Sequence, residues 1–78
     1  MLIKNAQERV GSFLLEMSER IAIGAMIELP MSRQDIADYL GITIETVSRT
    51  FTSLESQAMI ALPNARAVIL RDVSALRQ

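Results

Sequence analysis

Apolar residues at Ala6, Val10, Phe13, Leu14, Met17 and Ile21 recur at spacings of three and four, which lines them along one side of a helix from about Lys4 to Arg20. That side must be covered by the rest of the chain. Gly24 and the Leu29-Pro30 step interrupt the pattern, and Met26, Ile27, Glu28 and Leu29 between them suit a short strand ahead of the proline. Ser32 and Asp35 then stand at the spacing of a capping box, in which the serine oxygen accepts a backbone N–H and the carboxylate reaches back. A helix is predicted to start there, with Ile36, Ala37 and Leu40 turned inward and Gly41 at its left-handed end. Thr43 suits the N-cap of the next helix and Glu45 its positive N-terminal end, while Ile44, Val47, Phe51, Leu54 and Ala58 continue a buried stripe.

Beyond Ala58 the pattern becomes extended: Met59 to Leu62, a turn at Pro63-Asn64-Ala65-Arg66, then Val68, Ile69 and Leu70. This reads as a hairpin, followed by a helical turn from Asp72 to Arg77. Helix, short strand, helix, turn, helix and hairpin, in that order, describe a winged helix-turn-helix, mainly α with a small β-hairpin wing. Its expected core is Val10, Phe13, Leu14, Met17, Ile36, Leu40, Val47, Phe51, Leu54, Val68 and Leu70. Ala37, Gly41 and Val47 fit a close helix crossing, a turn and a branched lock on the second helix.

The chain has 78 residues, which makes a single domain over 1–78 and leaves no room for a two-domain enzyme. It has no cysteine and no histidine. Disulfides, thiolate nucleophiles and cysteine metal sites are thereby excluded, and so are the commonest general base and metal ligand. Asp35 and Asp38 have no further ligands to complete a metal site. No cofactor and no catalytic activity are expected. The longest apolar stretch, Ile21 to Ile27, is far shorter than the roughly 20 residues of a membrane span. A cytoplasmic protein without membrane contact is expected. Net charge is −1, so no general basic field attracts nucleic acid, and Phe13, Tyr39 and Phe51 are too scattered to stack single-stranded bases. Every cation after Pro30 is an arginine, the side chain suited to bidentate contact with guanine or phosphate.

Glu45, Ser48 and Arg49 fall three and four apart, which puts them on one polar face opposite Val47, Phe51 and Leu54. In a major groove Arg49 could bond O6 and N7 of a guanine, Glu45 could accept from a cytosine N4, and Ser48 could reach a base or a phosphate. The same spacing also describes an ordinary surface Glu-Arg pair worth a few tenths of a kcal/mol. Ser32, Arg33 and Gln34 at one helix start, and Thr43 and Thr46 at the next, offer donors suited to phosphates and are equally explained as caps and surface residues. Thr50 and Thr52 are weaker candidates, and Arg66 at the hairpin tip is either a phosphate contact or a solvated turn residue.

The run L-P-M-S-R-Q-D-I-A-D-Y-L-G-I-T-I-E-T-V-S-R-T-F, from Leu29 to Phe51, strongly resembles the DNA-binding domain of the CRP/FNR superfamily of bacterial transcription regulators. E-x-x-S-R at Glu45, Ser48 and Arg49 is similar to the FNR and FixK branch, with Ile44 where the cyclic-AMP receptor branch carries an arginine. The resemblance implies a recognition helix at about 43–57 in the major groove of a TTGAT-like half-site of double-stranded DNA. It implies base contacts from Glu45, Ser48 and Arg49, and backbone contacts from Ser32, Arg33, Gln34, Thr43, Thr46 and Arg66. It further implies a homodimeric regulator on inverted-repeat promoter sites, working with RNA polymerase. Members of that family normally add an N-terminal sensor domain and a dimerisation helix, so the chain is expected to be a fragment of a longer regulator, and to be largely monomeric. A winged-helix module for protein–protein interaction is the alternative of a different class.

Overall fold

The computed structural model describes residues 5–21 and 24–76. Helix α1 (Ala6–Ile21) is followed by strand β1 (Met26–Glu28), helix α2 (Arg33–Leu40), helix α3 (Ile44–Ser56), strands β2 (Ile60–Asn64) and β3 (Ala67–Leu70), and the short helix α4 (Val73–Leu76). Asn5 precedes α1 as half of a capping box. Its side chain accepts from the Glu8 N–H at 2.8 Å, and Glu8 Oε1 accepts from the Asn5 N–H at 3.0 Å. The helix thus starts after Asn5; Lys4, and Arg77 at the expected last turn, lie outside the described residues.

The capping box at α2 forms as its spacing predicts: Ser32 Oγ accepts from the Asp35 N–H, and Asp35 Oδ2 accepts from the Ser32 N–H. Gly41 ends α2 at φ +72°, where its missing Cβ removes the steric cost of the left-handed conformation. The Ile42 N–H closes the turn onto the Ala37 carbonyl at 3.0 Å. The α3 helix terminates by the same device without a glycine. Ala58 sits at φ +60°, its N–H bonds Glu55 O, and the Met59 N–H bonds Leu54 O, both at 3.0 Å, which is a Schellman closure.

The wing holds one strand more than a hairpin. β3 lies between β1 and β2 in an antiparallel sheet of order β1-β3-β2, with Met26 opposite Ile69 and Glu28 opposite Ala67. On the other side, Ala61 faces Ile69 and Asn64 faces Ala67, so β2 carries an extra residue between them, a bulge. Pro63 sits in that bulged edge strand, where its lack of an N–H is tolerated. The turn itself shrinks to Ala65-Arg66, tied by the Arg66 N–H to Asn64 Oδ1 at 2.9 Å.

Val10, Phe13, Leu14, Met17, Ile36, Val47, Phe51, Leu54, Val68 and Leu70 are all buried as expected. Leu40 is only half-buried, packed against the core from its edge. Ile44 and Ala58 leave the expected stripe and are exposed, because α3 has not yet met the core at its first residue and has already turned away from it at Ala58. Ile27 and Leu29 join the core from β1 and its exit, Ile60 from β2, and Leu76 from α4. At Gly11, α4 comes so close that an added Cβ would sit 3.3 Å from the Leu76 carbonyl oxygen.

Candidate nucleic-acid interface

The packing of α3 determines which of its side chains remain available. Val47, Phe51 and Leu54 are fully buried and Thr50 is 7% exposed, so the helix presses one long face into the molecule. The burial of Thr50 removes it from the outward candidates. Thr52 is exposed, and its hydroxyl donates back to the Ser48 carbonyl at 3.1 Å. On the opposite face Glu45 and Arg49 are exposed and Ser48 is half-buried. Neither the Glu45 nor the Arg49 side chain forms a hydrogen bond or an ion pair with any of the described residues. The surface Glu-Arg pairing allowed by their spacing is therefore not formed, and no described residue occupies the guanidinium's donors.

The N-cap of α3 is Thr43, whose Oγ1 accepts from the Thr46 N–H at 3.1 Å and lies 2.8 Å from Thr46 Oγ1. At the start of α2, Gln34 is exposed and its amide donates to Asp38 Oδ1 at 3.0 Å. On the wing, exposed Arg66 donates from Nη1 to the Leu29 carbonyl at 3.3 Å. The sequence-predicted residues thus gather on the helix-turn-helix pair, with Arg66 apart at the turn of the wing.

Arg33 does something different. Its guanidinium carbon lies 5.0 Å from the centroid of the Phe51 ring, a cation–π stack, and Nη1 donates to Ser48 Oγ at 3.4 Å. Its Nε is buried without a hydrogen-bond partner. A second arginine is also committed: Arg9 on α1 donates to the Leu40 carbonyl at 2.9 Å, satisfying an end carbonyl of α2 with a cation that suits the helix dipole. Neither role has a local sequence signal, since the partners stand 15 and 31 residues away.

Among the described residues, clefts of about 300 to 400 Å³ run along α1, lined by residues other than Glu45, Ser48 and Arg49. Among the described residues no cluster of three or more acidic, histidine or cysteine side chains could hold a metal ion. Among the same residues no helix is long and apolar enough to cross a membrane.

Comparison with known proteins agrees with this geometry. The family of the Crp-like helix-turn-helix domain matches residues 8–78. The chain belongs to that family. It is similar to the nitrogen fixation regulation protein FixK of Azorhizobium caulinodans, 59% identical over an alignment 80 positions long that covers 96% of this chain and 32% of the relative. FixK of Rhizobium meliloti is 53% identical over 72 residues, 92% of this chain and 34% of the relative. The structure of FixK2 from Bradyrhizobium japonicum superposes with a TM-score of 0.90 at 51% identity, covering 94% of this chain and 37% of that one. The chain spans about a third of the length of the curated relatives it matches. This Crp-like domain is therefore a winged helix-turn-helix of the FixK type, the kind carried by the transcription regulators it matches.

Proposed function

We propose that this domain binds double-stranded DNA sequence-specifically, with α3 and its caps, about 43–57, in the major groove of a TTGAT-like half-site. The observation that carries the reading is the outward face of α3, where the Glu45 and Arg49 side chains stand exposed with no partner among the described residues. Arg49 donates two hydrogen bonds to O6 and N7 of a guanine, Glu45 accepts from a cytosine N4, and Ser48 bonds the neighbouring base. Ser32, Gln34, Thr43 and Thr46 supply hydroxyl, amide and helix-start N–H donors to phosphates, and Arg66 adds a cation from the wing. Arg33, spent on Phe51 and Ser48, acts inside this surface more than as a free phosphate clamp. The regulator works in the bacterial cytoplasm as a homodimer on inverted repeats, together with RNA polymerase.

A gel-shift titration at low salt with an inverted repeat of the half-site and a scrambled duplex of equal composition tests the reading. Tighter binding to the repeat, by roughly tenfold or more, is expected. Equal affinity for both duplexes contradicts it. A protein-interaction module is the second reading, favoured by the net charge of −1 and by Tyr39, 70% exposed beside the cleft between α1 and α2. Binding to neither duplex would support that one.

A further inference from the structure

Arginine has five N–H donors and no acceptor, so the contact between Arg33 Nη1 and Ser48 Oγ has only one possible direction. Ser48 accepts. A serine hydroxyl carries one hydrogen and two lone pairs; with a cation from α2 on one lone pair, the hydrogen turns away from it. Ser18 and Ser56 spend their hydroxyl hydrogens on the carbonyls of Leu15 and Ser53 in their own helices. The Ser48 hydrogen finds no acceptor among the described residues. Stacking on Phe51 holds the guanidinium in place, and a fixed cation behind the oxygen makes the outward O–H a stronger donor.

We infer that Arg33 is a positioning residue that determines specificity: it holds the Ser48 hydroxyl as a donor, so the base edge facing Ser48 must present an acceptor. This rests on the base-reading role of α3 proposed above. In the major groove purine N7, guanine O6 and thymine O4 accept, whereas the amino groups of adenine and cytosine donate. A free serine would tolerate either kind of edge. Ser48 held by Arg33 discriminates between them.

The test is a double-mutant cycle read as base preference. Arg33→Met keeps a flexible apolar chain against Phe51 and removes every donor, and Ser48→Ala removes the hydroxyl. Wild type, both single variants and the double variant are titrated by fluorescence anisotropy against duplexes carrying each of the four base pairs at successive half-site positions. Ser48→Ala is expected to relax preference at one position. Arg33→Met should relax the same position by about threefold or more and have no further effect there once Ser48 is alanine. Circular dichroism and thermal melting establish that each variant is folded. Should Arg33→Met not fold, Arg33→Gln takes its place with the same expectation, because an amide both donates and accepts and leaves the hydroxyl undirected.

Equal weakening on every duplex would identify Arg33 as a phosphate contact and overturn the inference. A relaxation that persists without Ser48, or no effect of Ser48→Ala at any base, would overturn it too. Arg49→Ala, measured in parallel, separates the two levels. If it loses a guanine preference while Arg33→Met changes nothing, base reading stands and this inference alone falls; no wild-type preference at any position removes both.

Discussion

The two faces of α3 differ in what their side chains have already been given to do. On the inner face Val47, Phe51 and Leu54 have no solvent exposure and Thr50 only 7%; their interactions are complete in the folded chain. On the outer face the Glu45 and Arg49 side chains are exposed and have no partner among the described residues, and Ser48 Oγ accepts from Arg33 while its hydrogen meets no acceptor among those residues. Folding therefore fixes where the helix lies through one face and leaves the polar groups of the other in solvent. Substitutions on the two faces should separate stability from binding.

The largest expected effect comes from the inner face. Phe51→Ala empties the centre of the core and removes the ring beneath Arg33, at a cost of about 3 to 5 kcal/mol, a large part of the stability of a domain this size. Urea unfolding followed by circular dichroism should find the variant largely unfolded; a small shift in midpoint would mean that α3 is not anchored by this face. Thr43→Ala acts at the N-cap that both faces share. Losing its bond to the Thr46 N–H should cost about 1 kcal/mol in the same experiment.

Smaller again is the effect at the far end of α3. Ala58 adopts φ +60°, a conformation costly for any residue with a Cβ. Ala58→Gly should raise stability by about 0.5 to 1 kcal/mol, the relief of strain being partly offset by the freer unfolded chain. A lower thermal midpoint would show that the closure does not strain the alanine.

The two helix ends show which parts of the fold were legible. Ser32, Asp35 and Gly41 announce α2 because each acts on neighbours within a few residues. Ala58 performs the same job as Gly41 and carries no signal, since alanine is common everywhere. Ile44 has the spacing of the buried stripe, but helical periodicity cannot tell where a helix first touches the core. Pairing of β1 with β3 brings Met26 to Ile69, a long-range contact that local pattern does not encode. The outward face at Glu45, Ser48 and Arg49 was legible as a face. The inward turn of Arg33 onto Phe51 was not, because an arginine at a helix start looks like a surface cation until the neighbouring helix is placed.

The smallest effect expected on the fold is that of Arg49→Ala, within about 0.5 kcal/mol by urea unfolding, because this side chain is exposed and has no partner among the described residues. The same variant tests most directly the claim that the outer face of α3 reads DNA sequence. Its affinity for the inverted repeat and for a scrambled duplex is compared with that of the wild type by fluorescence anisotropy at fixed salt. A loss of about 1 to 3 kcal/mol on the repeat, with little change on the scrambled duplex, is predicted. Equal losses on both would make Arg49 a phosphate contact and contradict base reading by α3.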